Sequence, residues 1–273
     1  MVEAKRYLYF GAHPDDPDLL FGGYAAKLIR AGHSVKFVAC TNGDAGHFSG
    51  DREALAARRY REAQMSAAIV GLTEYRIWNI HDGELTPSPD HRKAMVRIIR
   101  EFKPDVVISH RLNDYHPDHR ATAQLVQDAA FMIMVPLYCP ELPIPEKRPV
   151  FCYSSDLFRH LEPFCADIGT AIDEVLETKL KMLDCHVSQF YEWLPWLEGN
   201  KDFNCRQMTE TERHHWLLEK WLCRDAVQAE QHRDMLRKFY GDAARNVKYA
   251  ETLEISEYGY IPSPSEIKTL FMV

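Results

Sequence analysis

The chain predicts a doubly wound α/β fold: a mostly parallel, Rossmann-like sheet with helices on both faces and a C-terminal helical elaboration. Three observations carry that prediction. Strand and helix patterns alternate strictly up to Met134. The strand runs are continuously apolar, which suits a parallel sheet buried on both faces. The helical runs show apolar residues three and four apart, as in Ala54, Ala57, Ala67, Ile69 and Val70 around Arg58, Arg61 and Glu62. Strict β-α-β-α order implies right-handed crossovers.

Strands are expected at Tyr7–Ala12, Val35–Thr41, Tyr75–Ile80 and Asp105–His110, with helices at Leu19–Ala31, Glu53–Val70, Ser88–Phe102 and Pro117–Met134. Five prolines between Pro136 and Pro149 end the alternation and predict an extended loop. A strand follows at Val150–Tyr153. Two long helical segments are then expected, Ala166–Cys185 and about Thr209–Tyr240, with a further strand or edge from Tyr249. The whole reads as a single domain over 1–273. Its core spans about 5–190, with a helical extension over about 191–273.

The 273 residues are 46% hydrophobic and 27% charged, ordinary for a globular protein. A net charge of −7 and the lack of a basic face interleaved with aromatics argue against a nucleic-acid partner. No apolar stretch approaches the roughly 20 residues of a membrane span. The N-terminus shows no leader pattern, so a cytoplasmic location is expected. Seven cysteines without a Cys-x-x-Cys read as reduced, packed thiols.

Two short clusters carry the chemistry. His13-Pro14-Asp15-Asp16 follows the first strand, and His116-Pro117-Asp118-His119 follows the fourth after a short loop. In an open parallel sheet, ligands gather outside the carboxyl ends of the strands. Pro117 suits the first turn of a helix. Together the clusters supply three ligands for a divalent ion and leave groups over, as a catalytic rather than a structural metal site does. His13, Asp16 and His119 form a two-His-one-carboxylate set suited to zinc; iron occupies similar sets. Asp15 then remains as a general base. His116 remains to stabilise an oxyanion or protonate a leaving amine, with Asp118 to orient it and raise its pKa. Spacing alone leaves the division of roles between His116 and His119 open.

These clusters resemble the two signature motifs of the PIG-L/LmbE-like zinc deacetylases. The likeness extends to Thr41-Asn42-Gly43-Asp44, to Arg59, Glu62 and Gly71, to His81-Asp82-Gly83, and to Lys179 with His186-Val187-Ser188-Gln189. It covers most of residues 7–190. The resemblance implies one Zn2+ on His13, Asp16 and His119, Asp15 as the base that activates water, and His116 as oxyanion stabiliser tuned by Asp118. It implies Arg59 and Asp82 as contacts to the sugar. The implied reaction is removal of acetyl from an N-acetylated amino sugar or glycoconjugate, giving acetate and free amine. A metal-dependent amidase acting on another amide, such as a thiol conjugate, and a non-catalytic sugar-binding protein are the alternative readings. The resemblance also admits a homo-oligomer.

Two positions depart from the family. Pro17 stands where a Glu is usual, and Asp114, beside Tyr115, stands where some relatives carry a mobile Tyr. Among other residues, His47, His110 and His186 are placed near the site by position, and His214-His215 reads as a surface pair. Trp193-Leu194-Pro195-Trp196 reads as core, interface or a sugar-stacking wall. Specificity is expected from the Pro136–Pro149 loop and from Phe190 to Cys205.

Overall fold

In the parallel core, residues of each strand point alternately to two buried faces. Tyr7 and Tyr9 enter one apolar cluster, Leu8 and Phe10 the other. The structure is a computed structural model describing residues 3–160 and 162–272. Met1 and Val2, the head of the segment read for a leader, lie outside them.

The strands are β1 (Arg6–Gly11), β2 (Ser34–Ala39), β3 (Glu74–Ile77), β4 (Val106–Ser109), β5 (Val150–Ser154), β6 (Ile168–Ala171) and β7 (Ala250–Ile255). They form one sheet in the order β3-β2-β1-β4-β5-β7-β6. The first five are parallel, and β7 runs antiparallel to both β5 and β6. The main helices of the core are α1 (Asp16–Arg30), α2 (Arg52–Val70), α3 (Pro89–Phe102), α4 (Pro117–Met132) and α5 (Leu176–Cys185). One face packs on α1, α2 and α5 through Phe21, Tyr24, Ala63 and Met182. The other packs on α3 and α4 through Val96, Ile99, Leu125 and Ala129. The doubly wound, mostly parallel architecture is therefore present. Strand order reverses between β1 and β4, so the crevice at their carboxyl ends is the place where such sheets bind ligands.

Local chemistry fixes the helix boundaries. Asp51 accepts from the Ala54 N–H to start α2, and Gly71, at φ 81°, ends it. Ser88 caps α3 and Pro89 opens it. Most core elements lie within a few residues of their predicted positions.

Beyond β5 the reading needs correction. The segment expected to be helical over Ala166–Cys185 begins as β6, because its backbone pairs with β7 from Ile168 to Ala171. Gly169 lets Met235 pack closely there: a Cβ would lie 2.4 Å from Met235 Cε, so that side chain would have to move. The expected helix over Thr209–Tyr240 is three helices: α7 (Glu210–Lys220), α8 (Cys223–Gln231) and α9 (Arg233–Tyr240). Its break has a visible cause. The Leu222 N–H reaches back five residues to the Leu217 carbonyl at 2.9 Å, and Leu217 and Leu222 both pack into one cluster with Phe190 and Tyr191. A straight helix cannot turn two residues five apart onto one spot as well as two residues four apart. A short α6 (Leu194–Leu197) precedes them and α10 (Pro264–Phe271) ends the chain's regular structure.

The Pro136–Pro149 segment forms neither strand nor helix, as expected. Its role differs from the expected one. Buried Arg100 donates to the carbonyls of Ile133, Val135, Tyr138, Cys139 and Leu142, so a single guanidinium folds this loop against α3. All seven cysteines are free, with Cys40, Cys139, Cys152 and Cys205 packed inside and Cys165 and Cys223 exposed.

A buried ionic cluster joins the C-terminal part to the core. Lys179 Nζ on α5 lies 2.5 Å from Asp225 on α8 and 2.7 Å from Glu251 on β7. Glu251 also accepts from the Gly23 and Tyr24 N–H groups of α1. Burial pushes the Asp225 carboxyl up to about 6 against the pull of Lys179.

Candidate metal centre and active site

The turn after β1 presents three functional side chains because its backbone is tied to Asp16. One carboxylate oxygen of Asp16 accepts the Ala12 N–H at 2.9 Å and the His13 N–H at 2.7 Å. From across the crevice, His119 enters on the first turn of α4. His13 Nδ1 lies 3.2 Å from His119 Nε2, and Asp16 oxygens lie 3.5 Å from each of those nitrogens. Atoms bound to zinc at about 2.0–2.1 Å in a tetrahedral shell are separated by about 3.3 Å. The separations are of that order, with a different Asp16 oxygen facing each imidazole, and His116 and His110 stand close enough to contribute to neighbouring ligand groups.

The far nitrogens explain why two imidazoles face each other. His13 Nε2 lies 3.2 Å from Asp82 Oδ1, and His119 Nδ1 lies 3.0 Å from Asp114 Oδ2. An ionised carboxylate only accepts, so each of these nitrogens carries the proton. The facing nitrogens are then both lone pairs, and two lone pairs at 3.2 Å repel unless a cation sits between them. This is the carboxylate–histidine arrangement that orients metal-binding imidazoles. Burial opposes charge on His13, yet hydrogen bonds with Asp118, Asp16 and Asp82 raise its pKa well above the ordinary value. Burial likewise opposes ionisation of Asp16, and His119, His110 and His13 outweigh it to hold the carboxyl well below its usual range. The surroundings thus favour positive charge at this point. His110 stacks on His119 at 4.2 Å between ring centres, with its Nε2 3.3 Å from Asp16.

Asp114 was not singled out as a functional residue by the sequence, where it registered only as a departure from the family. It lies in the turn before α4, where its other oxygen accepts the His116 N–H at 2.9 Å, and this local turn brings it to His119 five residues on. Asp114→Asn should weaken zinc affinity by about 10–100-fold, measured by competition with a chromogenic chelator. Unchanged affinity would remove Asp114 from the set.

Asp15 flanks the ion site, and His116 stands beside it, with one ring nitrogen within 4.8 Å of nitrogens of both His13 and His119. Asp15 Oδ1 accepts from Arg59 Nη2 at 2.6 Å. Its other oxygen has no hydrogen-bond partner among the described residues. Arg59 is buried, and its Nη1 donates to the Gly43 carbonyl at 3.0 Å. Gly43 has φ 66°, and a Cβ there would lie 2.3 Å from Arg59 Nη1. The loop after β2 thus needs glycine so that the guanidinium can reach Asp15. His116 Nδ1 accepts the Asp118 N–H at 3.2 Å, which leaves its proton on Nε2. Burial, with His13 and His119 nearby, lowers the His116 pKa. It stands as a neutral donor.

Two expected contacts take a different form. The Asp118 carboxylate does not bond to His116. It accepts from the Gly83 N–H at 2.6 Å and the Leu85 N–H at 3.2 Å and lies 3.5 Å from His13 Nε2, so it anchors the turn that carries Asp82. The expected rise in His116 pKa is absent: Asp118 pulls upward, but burial prevails. Both Nη atoms of Arg59 and one Asp82 oxygen are engaged with protein groups, although both residues line the crevice and the buried Arg59 Nε has no partner among the described residues.

The crevice is a cavity of about 710 Å³ lined by His13, Asp15, Asp16, Asp82, His116 and His119. Its outer wall comes from Ser155–Phe158, Phe190, Trp193, Leu194, Trp221 and Arg224. Phe190 and Trp193 belong to a π-helical turn, Ser188–Trp193, a feature frequent at functional sites. No residue of the Pro136–Pro149 loop lines this cavity among those described, which corrects the expectation that this loop sets specificity. His186 is fully buried 3.4 Å from Asp18, beneath the site rather than in it. His47 bonds to Glu192 at the rim, and Trp196 stacks outside on Trp193.

Residues 8–130 match the family model PIG-L, GlcNAc-PI de-N-acetylase. Over that segment the chain is similar to the PIG-L family. Every residue of the proposed ion site lies inside it, whereas Trp193, Trp221 and Arg224 lie beyond. A diacetylchitobiose deacetylase of Thermococcus kodakarensis is 29% identical over 216 residues, covering 71% of this chain and 76% of that one. The solved N,N'-diacetylchitobiose deacetylase of Pyrococcus horikoshii superposes with a TM-score of 0.70 at 23% identity, covering 94% of this chain and 85% of that one. The 4-carboxy-2-hydroxymuconate hydratase of Pseudomonas putida also gives 0.70, at 21% identity, covering 95% of this chain and 97% of that one. The PIG-L family and the first two proteins are deacetylases, while the third shares the fold with a different reaction. The chemistry of this chain must therefore be argued from its site. No helix among the described residues is long and apolar enough to cross a membrane.

Proposed function

We propose that the protein is a zinc-dependent N-deacetylase that hydrolyses the acetamide of an N-acetylated amino sugar or glycoconjugate. The observation that carries this reading is the convergence of two imidazole lone pairs and a carboxylate within 3.5 Å, beside a carboxylate and a neutral imidazole in one cavity. His13, Asp16 and His119 hold the ion, with Asp82 and Asp114 fixing the two rings. The bound ion supplies Lewis acidity, polarising the acetamide carbonyl and lowering the pKa of water to about 7.

The remaining work falls to the chain. Asp15, held by Arg59, takes the proton from the attacking water. His116 Nε2–H donates to the oxygen that becomes negative at the tetrahedral carbon. As a neutral donor it needs no charge of its own beside the ion. Asp15 then returns its proton to the departing nitrogen, the C–N bond breaks, and acetate and free amine result. Arg59 acts as a positioning residue through Asp15 and Gly43.

The test is acetate release from N-acetylglucosamine glycosides by chelator-treated and zinc-reloaded protein. Activity that vanishes with the metal and returns with Zn2+ is expected. Zinc-loaded protein that releases no acetate from mono- or disaccharide substrates would sink the reading.

A further inference from the structure

Three arginines line the cavity, and two of them pair with a carboxylate. Arg59 is held by Asp15 and Gly43. Arg111 lies 3.4 Å from Asp156 and donates to the Glu162 carbonyl. Arg224, at the start of α8, has one hydrogen bond, from Nη2 to the Ser155 carbonyl at 3.0 Å. Among the described residues no carboxylate lies within salt-bridge distance of it. Its neighbour Asp225 points the other way, onto Lys179.

A guanidinium carries five N–H donors in a planar fork, and one carbonyl occupies one of them. A half-buried cation without a counter-charge is costly unless a ligand completes it. The cavity that Arg224 lines has an apolar share from Leu19, Leu157, Phe158, Trp193, Leu194 and Trp221, with Ser155 and Asp156 among its polar residues. At about 710 Å³ the cavity falls in the range of roughly 300–1,000 Å³ that encloses drug-sized ligands. There is room beyond a single sugar ring for a further substituent.

Resting on the deacetylase reading, we infer that Arg224 is a specificity-determining residue that pairs with an oxyanion group, carboxylate or phosphate, on the part of the substrate remote from the acetamide. The wall beyond the PIG-L segment thus selects an acidic conjugate of the amino sugar over a neutral disaccharide.

The experiment compares three zinc-dependent substrates: the methyl glycoside of N-acetylglucosamine, its carboxymethyl glycoside and its 1-phosphate. For the native protein, kcat/KM should favour at least one charged substrate over the methyl glycoside by about tenfold, mainly through KM. The preferred charged arm tells carboxylate from phosphate. In Arg224→Gln the ratio should fall toward one, while Arg224→Lys keeps part of it. Thermal midpoints of both variants guard against a folding defect. No preference in the native protein, or an equal loss on all three substrates in Arg224→Gln, overturns the inference. Binding of the same compounds is also measured by calorimetry on zinc-loaded protein carrying Asp15→Asn, with and without Arg224→Gln. If none of the three is hydrolysed, the deacetylase reading fails, and this binding comparison still decides the role of Arg224.

Discussion

Asp15→Asn will fold, retain zinc and lose about 10²–10⁴ in kcat, the contribution expected of a positioned acid–base group. The substitution is nearly isosteric. An amide oxygen still accepts from Arg59 Nη2, so the 2.6 Å contact and the loop at Gly43 have no reason to move. What disappears is the capacity to take a proton from water and return it to nitrogen. Metal content measured on the same preparation separates this from loss of the ion. KM should change little, because Asp15 acts in the chemical step. Native turnover with zinc retained would show that another group, such as His116, serves as base.

The second large effect concerns stability. Lys179→Ala should lower unfolding free energy by about 3–5 kcal/mol, because it strands Asp225 and Glu251 together inside the protein. Urea titration reads the loss. A triple replacement, Lys179→Met with Asp225→Asn and Glu251→Gln, should recover much of it, since no charge then remains buried. If the triple variant is as weak as Lys179→Ala, the ionic bonds themselves, including those of Glu251 to the Gly23 and Tyr24 N–H groups, rather than relief of stranded charge, dominate. The cluster matters because it ties α5, α8 and β7 to α1, whose first turn carries Asp16.

Legibility in the sequence followed the range of the forces. The alternation up to Met134 and the two histidine clusters are local patterns, and β1 to β4 with α1 to α4 appear nearly where periodicity puts them. The turn residues Gly71 and Pro117 declare themselves by their own conformational limits. By contrast, β6 forms because β7 arrives from about eighty residues downstream to pair with it, and no window of sequence holds both. The same holds in the site. His13 and His119 were readable as a pair of motifs. That Asp114 holds His119 follows from a local turn that the family comparison hid, whereas that Arg59 serves Asp15 and that Asp118 braces the Asp82 turn depend on distances set by the sheet. The Pro136–Pro149 loop is expected to set specificity because the family motifs leave it uncovered, but buried Arg100 of α3 holds its carbonyls and none of its described residues lines the cavity.

β7, almost the last element of the chain, lies between β5 and β6. A ribosome therefore releases β5 and β6 long before the strand that joins them exists. Until it arrives, each offers an open hydrogen-bonding edge, the kind of edge that invites pairing with another chain. The half of the fold that carries both histidine motifs can assemble early, whereas the wall bearing Trp221 and Arg224 must wait for β7. Truncations that remove Ala250–Ile255 should consequently yield aggregates, although every ligand of the ion site is still encoded.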